Sequence, residues 1–150
     1  MAIYENYKHR ELTSKIIKAF YIVYNQLGYG FLEKVYENAM AIVLRRMGLH
    51  CEQQTPVFVY FEGEEVGFFR ADLLVENTVI AELKASEALC RGDEAQLVNY
   101  LRATEIEVGL LLGFCEEPVF RRRVFENSRK KLPDRTGQSG KRPDAGKHPE

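Results

Sequence analysis

Apolar residues recur at helical spacing at Leu12, Ile16, Phe20, Val23 and Leu27, and Gly28 follows where a left-handed residue can end a helix. A first helix over residues 11–27 is predicted. After Gly30 a second periodic stretch, through Phe31, Leu32, Val35, Tyr36, Ala39, Met40, Val43 and Met47, runs to Gly48 and predicts a second helix. The pattern then changes to β-branched and aromatic runs. Residues 51–61 (CEQQTPVFVYF) and 66–75 (VGFFRADLLV) flank Glu62-Gly63-Glu64-Glu65, and TVIAELKA follows the turn Glu76-Asn77-Thr78, so three strands are expected in a meander. Helical spacing returns over residues 88–103, and the unbroken apolar run VGLLLGF, Val108 to Phe114, fits a strand covered on both faces. Pro118 then opens a predicted last helix through Lys131. The expected order is α-α-β-β-β-α-β-α, an α/β fold with a mixed central sheet flanked by helices. From Leu132 onward (LPDRTGQSGKRPDAGKHPE) apolar residues nearly vanish, which predicts one domain over residues 1–131 and a disordered polar tail over 132–150.

Composition narrows the function classes. The chain has 150 residues, enough for one real core, and its 21 Lys and Arg against 22 Asp and Glu give a net charge of −1. Without a basic excess, any nucleic-acid contact must come from local patches such as Arg121-Arg122-Arg123, with Arg129, Lys130 and Lys131 after it on the predicted last helix. The same run also fits a solvated helix face. Cys51, Cys90 and Cys115 form no CxxC pair, which fits buried free thiols in a reducing compartment and argues against zinc or iron–sulfur ligation. His9, His50 and His148 lack ligand spacing. MAIYENYKHRE has no apolar signal core, and no stretch approaches the roughly 20 apolar residues of a membrane span, so cytoplasmic residence without a membrane is expected.

The chemistry concentrates in residues 70–84. If Val75 pairs with Val79 across the turn, Asp72 lies opposite Glu82 with Cβ atoms about 4.5 to 5.5 Å apart, and Lys84 points to the same face. Opposed carboxylates destabilise a hairpin unless something positive sits between them. Lys84 or a bound cation fills that role, and the donor set suits an Mg²⁺-type oxygen site beside a phosphate-binding ammonium. A lone E-x-K triplet is weak evidence, often no more than a solvated strand face. Its company strengthens it. Leu74 and Ile80 flank the carboxylates, Gln96 and Tyr100 share one face of the following helix at i and i+4, and Glu33 sits among apolar neighbours in GYGFLEKVYENA. Standing alone, Tyr100 would read first as amphipathic core packing.

The run Gly30-Phe31-Leu32-Glu33-Lys34-Val35-Tyr36 resembles the signature of the GxxExxY proteins, a bacterial and archaeal group similar to the PD-(D/E)XK nuclease superfamily. The resemblance covers about residues 10–128 and includes RADLLVEN, AELKA, QLVNYLRAT and VGLLLGF in order. It implies that Asp72, Glu82 and Lys84 form the core, with Ala71 where the superfamily's name has proline. Glu33 resembles the carboxylate that many members contribute from the first core helix, and Gln96 with Tyr100 resembles the QxxxY motif of the exonuclease branch. Asp93 and Gly113 depart from the expected histidine and asparagine, which bears on substrate contacts more than on the metal core.

So placed, Asp72, Glu82, Glu33 and the Leu83 carbonyl would hold Mg²⁺ or Mn²⁺, Lys84 would offset charge on the phosphate, and Gln96 and Tyr100 would orient the water or contact a phosphate. The implied products are a 5′-phosphate and a 3′-hydroxyl. The expected activity is metal-dependent nucleic-acid hydrolysis, with DNA ahead of RNA. The alternative is a noncatalytic nucleic-acid-binding or protein-interaction module on the same scaffold. A homodimer or a protein partner that delivers substrate stays open.

Overall fold

The computed structural model describes residues 8–132, so the predicted tail lies almost wholly outside the described residues. Helix α1 (Arg10–Leu27) and helix α2 (Glu33–Arg46) follow the two predicted periodic stretches. Strands β1 (Cys51–Phe61), β2 (Glu64–Val75) and β3 (Val79–Lys84) form the meander, helix α3 (Arg91–Ala103) crosses over, and strand β4 (Val108–Phe114) returns. With a fifth strand, β5 (Pro118–Val124), the sheet has the order β1-β2-β3-β4-β5, parallel between β3 and β4 and antiparallel elsewhere.

The predicted last helix is corrected by the structure. Pro118–Val124 is strand β5, antiparallel to β4 with Phe114 paired to Pro118 and Val108 to Val124, and a short 3₁₀ turn follows at Asn127–Arg129. The order is therefore α-α-β-β-β-α-β-β. Phe120 and Val124 pack against the main core, while Arg121 and Arg123 reach Glu94 on α3. A period of two places successive side chains on opposite faces, which a helix would not.

Two apolar clusters clamp the sheet. On one face Ile16, Phe20 and Val23 of α1 and Tyr36, Met40 and Leu44 of α2 pack on Leu73, Val75, Ala81, Leu83, Leu110 and Leu112. On the other, Leu97, Tyr100 and Leu101 of α3 pack on Val57, Ala71, Leu74, Ile80 and Leu111. All seven residues of β4 are buried, as its unbroken apolar run predicts. Close approach is built into β4. A Cβ at Gly109 would stand 2.6 Å from Leu97 Cδ1, and one at Gly113 would stand 2.7 Å from Val119 Cγ1, so neither position has room for a side chain without a shift of its neighbour. The absence of asparagine at Gly113 thus has a steric correlate in β5.

Among the described residues no helix is long and apolar enough to cross a membrane. Cys51 and Cys115 are buried and free as predicted, whereas Cys90 is exposed at the start of α3. Its N–H donates to Asp93 Oδ2 at 2.9 Å in a capping box.

Candidate active site

The site forms where β2 and β3 part. Their ladder runs from Val75↔Val79 through Leu74↔Ile80 to Leu73↔Ala81, the predicted register, and backbone pairing then stops. Side chains take over from the ladder. The Asp72 N–H donates to Glu82 Oε1 at 2.8 Å, and the Leu83 N–H donates to Asp72 Oδ2 at 2.8 Å. Each carboxylate thus replaces a backbone acceptor on the opposing strand. These bonds satisfy amides that the fork would orphan, and they hold the two acids side by side.

Burial of these acids has an electrostatic cost. Desolvation first, and then the neighbouring Asp72 charge, push the Glu82 carboxyl up to about 8, against the pull of the Asp72 N–H and Lys84. Asp72 is also raised, chiefly by burial and next by Glu37, while the Leu83 N–H, Gln54 and Lys84 work the other way. Glu33 stands in the first turn of α2, and its carboxyl is raised by partial desolvation, with Lys84 opposing and Asp72 adding to the rise. Lys84 therefore lies within electrostatic reach of all three predicted acids. Its ammonium is 3.8 Å from Asp93 Oδ1.

The tyrosine of the signature explains how Glu33 is placed. Tyr36 is fully buried, stacks on Phe114 with centroids 4.1 Å apart, and closes the turn between α1 and α2. Its hydroxyl donates to the Gly28 carbonyl at 2.7 Å and accepts from the Phe31 N–H at 3.1 Å. Gly30 has φ 114, open to glycine at little cost. Together these residues set the point at which α2, and so Glu33, begins.

On α3, Gln96 Nε2 donates to the Tyr100 hydroxyl at 2.7 Å, so the predicted pair is joined on one face. Burial chiefly raises the Tyr100 phenol, and Glu82 and Asp72 add to the rise, which places this face beside the acids. Three residues at the site escaped the sequence reading of the metal core. Glu37, one turn after Glu33 and buried, accepts from Lys34 Nζ and Gln53 Nε2, both at 2.7 Å, and from Gln54. Gln54, with φ 54 inside β1, also reaches Asp72 Oδ1 at 3.4 Å. Asp93 sits beside Lys84, nearer to the acids than its position in the sequence pattern implies. Spacing offered one usable signal: Glu37 follows Glu33 at i+4, on the same face of α2.

The arginine patch does not form the predicted cationic helix face. Glu94 takes Arg121 Nε at 3.3 Å and Arg123 Nη2 at 2.5 Å, and Arg122 donates to the Lys8 carbonyl. Lys130 Nζ caps the carbonyls of Thr104 and Ile106 at 2.9 and 2.7 Å. Among the described residues, no three His, Cys, Asp or Glu side chains converge into a ready-made metal cage.

A solved structure described as "Crystal structure of SSO0001" is similar at 18% identity and a TM-score of 0.48 over 63% of this chain, which spans about half the length of that one. No curated protein matches. Residues 10–124 match the sequence profile of the PD-(D/E)XK nuclease superfamily, a span that takes in every element from α1 to β5. The chain belongs to the PD-(D/E)XK nuclease superfamily.

Proposed function

We propose that this chain is a divalent-metal-dependent nuclease of the GxxExxY group, cytoplasmic, and acting on DNA ahead of RNA. The observation that carries the reading is the fork between β2 and β3, where a buried Glu82 and a half-buried Asp72 are tied to each other's strands, with Lys84 alongside. Both acids have carboxyls raised chiefly by burial, which Lys84 offsets only in part. Such a donor set fits Mg²⁺ or Mn²⁺, since Mg²⁺ commonly takes one or two protein carboxylates and completes its shell with waters and substrate phosphate. Asp72 and Glu82 would hold the ion, with Glu33 from α2 and the Leu83 carbonyl as further oxygens. When bound, it lowers the pKa of a water and polarises the phosphodiester.

The chain's own groups supply the rest. The Lys84 ammonium meets negative charge developing on the phosphate oxygens, a task for which a positioned cation is worth several kcal/mol. Because the Gln96 amide N–H is turned to Tyr100, its carbonyl oxygen is left to orient the attacking water or Lys84. The Tyr100 hydroxyl keeps its proton to donate to a phosphate oxygen.

The test uses purified protein with Mn²⁺ on linear, circular and single-stranded substrates of DNA and RNA. Lys84→Ala should keep fold and metal binding and lose cleavage by about a hundredfold or more. Glu82→Ala should lose both metal and cleavage. Inactivity of the unaltered protein on every substrate, or full activity of Lys84→Ala, sinks the reading. Inactivity with retained nucleic-acid binding would identify a binding module, and activity restored by a copurifying protein a missing partner.

A further inference from the structure

A cleft of about 570 Å³ opens between the outer part of the β1–β2 hairpin and α3, within the usual size range of small-ligand sites. Tyr60 and Phe69 line it from the hairpin, and Gln96, Asn99, Tyr100 and Arg102 from the helix. Gln96 bonds the Tyr100 hydroxyl, and the Glu82 and Asp72 charges reach that phenol, so the cleft lies beside the candidate site.

Its lining is unlike a core that failed to close. Tyr60 and Phe69 are 41% and 47% exposed, large aromatic surface left in water on a hairpin that elsewhere buries Val57 and Ala71. The Phe69 ring meets Tyr100 at 42° with centroids 5.9 Å apart, an open aromatic step with room against it. The Asn99 amide brings a donor and an acceptor to the same space, and the exposed Arg102, its guanidinium 5.1 Å over the Phe125 ring, brings a positive charge. Rings that stack a base, an amide that bonds its edge and a guanidinium for phosphate are the chemistry of unpaired-nucleotide recognition.

Charge points the same way. A duplex gripped along its backbone calls for a line of free cations. Here the net charge is −1, Arg121 and Arg123 share the Glu94 carboxylate, and Arg122 is turned to the Lys8 carbonyl. Stacking needs no such line.

We propose that this cleft seats an unpaired nucleotide of single-stranded DNA next to the scissile phosphate, its base stacked on Phe69 and Tyr60. The proposal rests on the nuclease reading for the neighbouring chemistry, so binding and cutting are read separately.

The experiment measures anisotropy of a fluorescein-labelled DNA of about 12 nucleotides, a length one such groove can cover, as single strand and as duplex, with the full chain in EDTA. A 2-aminopurine in the single strand reports stacking directly. The unaltered protein should bind the single strand at least about tenfold tighter than the duplex and change the 2-aminopurine fluorescence. Phe69→Ala and Tyr60→Ala should each weaken single-strand binding by about fivefold to a hundredfold, the range of one lost base stack, and reduce the fluorescence change. Phe69→Trp should restore both. Melting curves confirm that each variant is folded, and Tyr60→Ala stands as the test if Phe69→Ala is not. Equal affinity for single strand and duplex overturns the proposal, as does undiminished binding by folded Tyr60→Ala. Cleavage without single-strand preference sinks this inference alone. Selective, Phe69-dependent binding without cleavage of any substrate upholds the cleft and sinks the nuclease reading.

Discussion

At the scale of residues, Glu82 carries the strongest electrostatic signature in the described chain. Its carboxyl is raised from the usual 4.5 to about 8, so the metal-free folded protein keeps a proton at neutral pH that the unfolded chain has lost. With more protons bound in the folded state, stability from this group falls as pH rises between 4.5 and about 8. A metal ion needs the ionised form. Mn²⁺ affinity should therefore rise with pH up to about 8, and binding near pH 7 should release close to one proton. Calorimetry in two buffers of different ionisation enthalpy counts that proton, and a count of zero at pH 7 would contradict the assignment. Tyr36 yields a second prediction. Tyr36→Phe keeps the stack on Phe114 but strands the Gly28 carbonyl and the Phe31 N–H, which should cost about 1–3 kcal/mol by urea denaturation. It should also weaken Mn²⁺ binding by loosening the start of α2, whereas a purely packing role would leave the metal affinity unchanged. Asp72, Glu82 and Lys84 were legible because a two-residue period and one turn fix their facing. Glu37, Gln54 and Asp93 were not, because their places depend on contacts between separate elements.

At the scale of elements, helices α1, α2 and α3 and strands β1 to β4 follow from their periodicities, and β5 does not. The segment PVFRRRVF puts three arginines in a row, which hides the alternation that marks a strand. The structure supplies the missing half of the pattern. Arg121 and Arg123 lie over Glu94 of α3, while Arg122 shares the parity of Phe120 and Val124 and runs to the Lys8 carbonyl. Ion pairing with α3 makes polar residues acceptable on a face that a sequence reader expects to be apolar. All three partners in the Glu94 cluster are substantially solvated, so the pairs add little stability. Glu94→Gln should shift the unfolding free energy by less than about 1 kcal/mol. It should nevertheless raise affinity for polyanions, because two guanidiniums are released. Binding to duplex DNA across a salt series should steepen by up to about two units of log–log slope, and an unchanged slope would show the arginines already free to leave Glu94.

At the scale of the whole molecule, the fold assembles its acids from three separated stretches of chain: the β2–β3 fork, the start of α2 and the start of α3. No single element is a metal site. The sheet brings Asp72 and Glu82 together, α2 adds Glu33, and α3 sets Asp93 against Lys84, so the negative charge is shared across the packing of both layers. A cation at that junction should bind the folded chain and not the unfolded one, and so should stabilise the domain as a unit. At Mn²⁺ concentrations about a hundredfold above Kd, the gain is about 2.7 kcal/mol. For a domain of this size that corresponds to a rise in Tm of about 5–10 °C. Asp72→Asn removes one ligand charge and also relieves repulsion on Glu82, so its metal-free Tm should hold or rise while its shift with Mn²⁺ shrinks. A melting series with and without Mn²⁺ separates the two effects. Equal metal-induced shifts in both proteins would place the ion elsewhere. A lower metal-free Tm in Asp72→Asn would instead show that the bond from the Leu83 N–H to Asp72 Oδ2 outweighs the repulsion it is set against.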